Sequence, residues 1–255
     1  MSACSCALVV AVATAGIGLA TACTKIPTDA SAVLSLALDS LPAPAVVLGD
    51  TLRDSTGRAA PIRATAYNFQ GTVISNAPLT FAALDRGVTI DKVTGFAIGD
   101  SLRQTPARIL ISLGSLQAIR TLDVTLRPDT VRAVNGRDSL QYSLTDTTKN
   151  FSPALSLKVL HSLVADSVVK SYVVGFAVVS PADTLLARLV NDAGGPSRTD
   201  TTDAGGIASR RIRLNPARLV ALTDSIIVNA SVKYRGAHIR GSPVRMVLKV
   251  KPGTS

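Results

Sequence analysis

Residues 225–234 read SIIVNASVKY, and this stretch decides the fold. Ile226, Val228, Ala230, Val232 and Tyr234 share one parity; Ser225, Asn229, Ser231 and Lys233 take the other. A period of two over ten residues is that of a strand with one face buried and one face wet. The next run repeats it: Val244, Met246, Leu248 and Val250 alternate with Arg245, Lys249 and Lys251. Upstream, Leu155, Leu157 and Val159 oppose Ser156 and Lys158. A slip of one residue would carry each apolar set into water, so the registers are well specified. Residues 168–179 are apolar on both parities, which predicts one strand central to the layers. Two further strands are expected over 185–190 and 207–214.

The first half has the same rhythm in shorter pieces. Leu34, Leu36 and Leu38 alternate with Ser35, Ala37 and Asp39, and Ile62, Ala64 and Ala66 with Arg63, Thr65 and Tyr67. LTFAAL at 79–84 and Val88-Thr89-Ile90 follow, then Ile109, Ile111 and Leu113, then Leu122, Val124 and Leu126. Short strands at close spacing with Gly, Pro, Asn and Asp between them argue for a sandwich or barrel of antiparallel strands. Pro128 removes a ladder donor, and Asn135-Gly136 is a turn signal. We expect one module over 33–128 and a second over 129–255. Helical periodicity is weak; a short turn around 216–222 is its best instance.

Hydrophobic residues are 47% of the chain, aromatics 4%, and there is no Trp, so Val, Leu, Ile and Ala must fill the cores. Exposed aromatic platforms, on which sugar binding by stacking relies, are scarce. The formal net charge is +10. The basic residues are scattered singly, as Arg53, Arg58, Arg63, Arg86, Arg103 and Arg108, and the densest cluster is Arg210-Arg211-Ile212-Arg213. That dispersion, together with the export argued below, speaks against nucleic acid; a solvated strand face is the plainest reading, and affinity for an anionic envelope surface the functional one.

Residues 7–22 carry no charge, and Cys23 follows the small residues Ala20, Thr21 and Ala22. No cysteine occurs after it, so an exported chain has no intramolecular disulfide to form. The segment resembles the lipobox of bacterial lipoproteins, with Ala20 where that motif usually has Leu and Leu19 one place further back. The resemblance implies a signal peptide at 1–22, lipid attachment at Cys23, a tether over 23–32, and export to the cell envelope. It further implies an outer-membrane lipoprotein facing the periplasm or the cell surface. An uncleaved anchor and a plain secretory leader are competing readings; no Lys or Arg precedes the apolar run.

TTDAGGIASRRIRL at 201–214 resembles the Thr-Asp-x-x-Gly-x-Ala signature of bacterial Ig-like domains of the invasin and intimin type, on Thr202, Asp203, Gly206 and Ala208. Gly205-Gly206 allows a tight turn with positive φ. Arg210 shares parity with Ile212, which calls for a bulge or an edge position. The first half is similar to the other common bacterial Ig-like group, through Phe81, Val88 to Asp91, Thr94 to Ala97 and Ala107 to Ile109. Together these imply an all-β chain of two tandem immunoglobulin-like antiparallel β-sandwich domains, and modules that adhere, space or scaffold.

Catalytic constellations are not found. His161 reads as a strand end and His238 as a turn residue, with no nucleophile motif for either to serve. Asp192, Asp200, Asp203 and Asp224 crowd the loops of the second module, where turn formation is a commoner role than Ca²⁺ ligation. We expect no metal, no cofactor and no enzyme, but a lipid-anchored envelope protein. Its partners would be the membrane, through the lipid, and envelope proteins or surface glycans. The alternative is a lipoprotein that captures a glycan or peptide for uptake or processing.

Overall fold

The structure is a computed structural model and describes residues 32–163, 167–219 and 225–253. The leader, Cys23 and most of the tether lie outside the described residues. Eight strands make the first module: β1 (Ser35–Leu38), β2 (Ala45–Val47), β3 (Ala64–Tyr67), β4 (Thr80–Ala83), β5 (Val88–Ile90), β6 (Ala97–Gly99), β7 (Ala107–Leu113) and β8 (Leu116–Thr125). One sheet runs β2-β8-β7-β4; the pairs β1-β3 and β5-β6 pack against the same core. Between them lies an aliphatic core around Ile62, Ile109, Ile111, Leu122 and Val124, with Phe81 as its aromatic member.

The second module comprises β9 (Thr130–Asn135), β10 (Arg137–Tyr142), β11 (Leu155–His161), β12 (Ser167–Val168), β13 (Val173–Ser180), β14 (Ala187–Val190), β15 (Thr199–Thr201), β16 (Ile207–Leu214), β17 (Ser225–Ser231), β18 (Lys233–Tyr234), β19 (Ala237–His238) and β20 (Val244–Pro252). Its sheets run β10-β20-β17-β13-β15 and β12-β11-β16-β14, with β9 joined to β11 and a small β18-β19 hairpin. The parity seen in the sequence is the parity of burial: β17 and β16 bury alternate residues along their length. Leu140, Leu155, Leu157, Ile212, Ile226, Met246 and Leu248 are wholly buried in a second core that shares no residue with the first.

Both modules open with the same device. The chain lays a first strand on one sheet and then crosses to pair parallel with the module's last strand: β1 with β3, then β2 with β8. In the second module β9 joins β11, then β10 joins β20. The other strand pairings are antiparallel, so the expected antiparallel sheets hold except at this one strand pair per module and at the isolated parallel bridges Leu48–Gly99 and Thr130–Arg240. Asn135-Gly136, expected as a turn, is this crossing. Gly136 is not among the residues with positive φ, and its carbonyl accepts Val247 N–H at 2.8 Å.

Two other expectations change. The apolar run 168–179 is two strands in opposite sheets, β12 and β13, broken at Lys170-Ser171 where Ser171 takes φ +54°. Arg210 sits neither in a bulge nor on an exposed edge: β16 keeps an unshifted register, and Arg210 points inward, 8% exposed. Its guanidinium crosses to β15 in the facing sheet, pairing with Asp200 at 2.9 Å and donating to the carbonyl of Thr199. The described part of the expected turn around 216–222 is a 3-10 turn over Pro216–Arg218.

Ile111 and Leu157 are both wholly buried, one in each core. Truncating either to Ala is expected to cost about 2–5 kcal/mol, lowering the urea midpoint with an unchanged slope. Ile119→Ala, at a site 52% exposed, is the control and should shift stability by less than about 0.5 kcal/mol.

Candidate functional site at the module junction

Asp50 follows β2 in the first module, and its side chain is 4% exposed. An isolated buried carboxylate would be costly, so its surroundings matter. Its Oδ2 accepts Arg53 Nε at 2.9 Å, Arg235 Nε at 3.0 Å and Tyr234 Oη–H at 2.8 Å. Its Oδ1 accepts Arg53 Nη2 at 2.9 Å, Arg235 Nη2 at 2.9 Å and Thr51 N–H at 2.8 Å. One carboxylate thus takes two guanidinium forks, one from each module, plus a phenol and an amide. Burial pushes the Asp50 carboxyl up, but the hydrogen bonds from Arg53, Arg235, Tyr234 and Thr51 together outweigh it and hold the group well below the usual carboxylate range.

Tyr234 and Arg235 reach Asp50 because β18 and β19 form a hairpin whose two-residue loop, Arg235-Gly236, has φ +51° and +81°. Positive φ at both positions is the type I′ pattern, where Asn-Gly is the usual occupant. Placing Arg in that conformation strains the backbone and aims its guanidinium at Asp50. The turn then meets the first module so closely that a Cβ on Gly57, itself at φ +87°, would collide with the Arg235–Gly236 backbone.

A second seam lies at the end of β8. Ser171 Oγ donates to Asp123 Oδ2 at 2.5 Å, and Thr125 Oγ1 donates to the Lys170 carbonyl at 2.7 Å. Lys170 Nζ donates to the Arg103 carbonyl at 3.0 Å and lies 3.6 Å from Asp123 Oδ1. Asn76, Ser171 and Arg235 are the non-glycine residues with positive φ among those described, and two of the three sit at this junction. Each of those two donates to a carboxylate of the first module.

The connection itself is tied down. The Arg127 carbonyl lies 2.8 Å from His161 Nδ1, and the Arg127 guanidinium sits 5.0 Å over the Tyr234 ring. Both Asp129 carboxylate oxygens accept Ser162 N–H, at 2.8 and 3.0 Å. His161, read from the sequence as a strand end, closes β11 and clamps the connection.

Beside the junction is a cleft of about 520 Å³ lined by Pro42, Pro44, Thr51, Tyr172, Lys233 and His238 among others. Its phenols are engaged: Tyr172 Oη donates to the Lys233 carbonyl at 2.6 Å and Tyr234 Oη to Asp50. Burial, with Tyr234 and Asp50 close by, pushes the Tyr172 phenol well above its ordinary value. His238 Nδ1 is 2.9 Å from Ser242 Oγ. The arrangement orients and locks.

The residues singled out at 202–208 lie elsewhere, at the β15–β16 turn. Thr202, 3% exposed, donates to the Val169 carbonyl at 2.7 Å and accepts Tyr172 N–H at 2.9 Å, fastening this turn to the chain between β12 and β13. Asp203 Oδ1 accepts Gly205 N–H and Ile207 N–H at 2.8 and 2.9 Å, capping the turn. Gly206 has φ +74°, and a Cβ there would lie 2.8 Å from the Val159 carbonyl oxygen; Ala208 is buried in the core. Of the acidic residues weighed as Ca²⁺ ligands, Asp200 pairs with Arg210, Asp203 caps, Asp192 is exposed and Asp224 is outside the described residues. Among the described residues no helix is long and apolar enough to cross a membrane.

Sheets packed over one core in each module, with a split first strand closing parallel on the last, define a tandem of immunoglobulin-like β-sandwiches. No family model and no curated protein matches the chain. Among solved structures it is similar to domains 5–6 of the S-layer protein SbsC: 12% identity over 88% of this chain and 99% of that one, TM-score 0.29. It is also similar to the Yersinia pseudotuberculosis adhesin InvE, at 15% identity over 85% of this chain and 58% of that one, TM-score 0.30. A third is human protocadherin-24 EC1-2, at 12% over 88% and 100%, TM-score 0.28.

Asp50 gives the junction a defined pH dependence. An unfolded carboxylate titrates near 3.9, and the folded Asp50 lies lower, so the unfolded state takes up the proton first. Its contribution is therefore complete above about pH 5 and is lost as pH falls through the folded value. Asp50→Asn should cost about 3 kcal/mol at pH 7, and its thermal midpoint should fall less than the wild type's between pH 6 and pH 2.5; parallel slopes would exclude the assignment. Gly57→Ala should lower stability by about 1–3 kcal/mol through forced φ and the collision with the turn, read by urea unfolding.

Proposed function

We propose that this chain is a non-enzymatic, lipid-anchored envelope protein of the invasin-like Ig type, whose two modules act as one stiff spacer or scaffold. The observation that carries the proposal is the junction: one buried carboxylate gripped from both modules, with a second seam and a tied connection. A tandem built only to string modules together would do with an exposed, flexible linker. Cys23 provides the lipid attachment, and export places the modules outside the cytosol, at an envelope membrane. Envelope proteins or surface glycans are the partners in this reading, met through exposed strand edges and end loops.

Capture of a glycan or peptide is the second reading, and the cleft beside the junction favours it. The engaged phenols of Tyr172 and Tyr234 count against it, because a ligand would have to displace their present partners. Titration followed by intrinsic tyrosine fluorescence would separate the two, since there is no Trp to mask the signal.

Two measurements test the proposal. Metabolic labelling with a fatty-acid analogue should mark the wild type and not Cys23→Ala; an unlabelled wild type would remove the anchor. Spin labels at Ser115→Cys and Asp192→Cys, one per module, should give a single narrow distance distribution. Asp50→Ala should broaden it, and a broad distribution in the parent would contradict a stiff spacer.

A further inference from the structure

The basic run at 210–213 is divided by strand geometry. Arg210 points into the sandwich, whereas Arg211 and Arg213 stand on the outer face of β16. Arg213 lies directly opposite Arg188 of β14 and makes an isolated bridge on its other flank to Phe151, so Phe151, Arg213 and Arg188 form one row. The guanidinium carbons of Arg211 and Arg213 are both 5.5 Å from the Phe151 ring centroid. Among the described residues none of the three arginines has a carboxylate partner, and their one side-chain hydrogen bond runs from Arg211 Nε to the Ser152 carbonyl at 2.8 Å. Like charges directly opposite in an antiparallel pair repel. A cleft of about 310 Å³ opens beside Arg188 and Arg213, lined also by Thr147, Asn150, Leu185 and Asn215.

The surroundings do not neutralise this row. Residues 129–255 carry seventeen basic and nine acidic side chains, against nine and seven over 33–128. We infer that Arg188 and Arg213, with Arg211 two residues along the same face of β16, form a binding site for a phosphate dianion, free or as a monoester. Planar guanidinium forks match the oxygens of phosphate, and three of them suit a charge nearer −2 than the −1 of a carboxylate or diester. Phe151 holds the forks of Arg211 and Arg213 by cation–π contact. Thr147, Asn150 and Asn215 supply polar lining, and the cleft leaves room for the alcohol part of an ester.

Thermal unfolding of the purified full chain tests the site, because a ligand that binds only the folded state raises its midpoint by mass action. Inorganic phosphate at about 10 mM should raise the midpoint above that in chloride of equal ionic strength, by ligand linkage in place of general screening. The double variant Arg188→Gln/Arg213→Gln should be at least as stable as the wild type without phosphate, since the repulsion is gone, and should lose the phosphate response. A hexose phosphate acting at lower concentration than phosphate identifies a monoester ligand; equal action identifies the free ion. Equal shifts in chloride and phosphate, or a double variant that still responds to phosphate, would overturn the site.

Discussion

A carboxylate with six hydrogen bonds, drawn from both modules, is the constraint on which the molecule depends. Asp50 is too buried to be left alone and too fully paired to be neutral. Removing any one donor leaves the others in place. Removing the carboxylate leaves two guanidiniums facing each other across a module boundary with nothing between them. That asymmetry makes Asp50, rather than either arginine, the centre of the junction. Arg235 is 55% exposed along its side chain, so water screens its pairing, and it alone should be worth no more than about 1 kcal/mol.

The backbone strain at the junction has the same logic. Ser171 and Arg235 adopt left-handed conformations that cost free energy locally, and each points a donor at a carboxylate of the first module. The β18–β19 hairpin contributes little to the core; His238 and Ala237 are exposed. Its place in the fold is to hold Tyr234 and Arg235 against Asp50. Gly57 and Gly236 then let the two backbones approach as no other residues could. Two sandwiches with separate cores become one body through a small, polar, strained contact.

Much of this architecture was legible in the residues, wherever a strand buries one face and wets the other. β16, β17 and β20 could be read nearly to their ends for that reason. β2 could not, because Ala45, Val46 and Val47 are all buried and show no alternation. Nor could the break at Lys170-Ser171, since apolar residues flank it on both parities. The parallel closure of each module joins positions far apart in the chain, and Asn135-Gly136 has the composition of a turn whether or not one forms. The junction was the least visible part. Asp50 and Tyr234 are 184 positions apart, and Arg53 looks like one more scattered base. The faint signal was Arg235-Gly236, a two-residue hairpin loop with an arginine where Asn or Asp is usual.

The central claim is that Asp50 and Arg235 couple the modules energetically, beyond touching in space. A double-mutant cycle on Asp50→Ala and Arg235→Ala, followed by equilibrium urea unfolding at pH 7 and low salt, measures that coupling directly. A coupling energy of about 0.5–1 kcal/mol, shrinking as salt is added, is the predicted result. Strict additivity of the two substitutions would contradict the account.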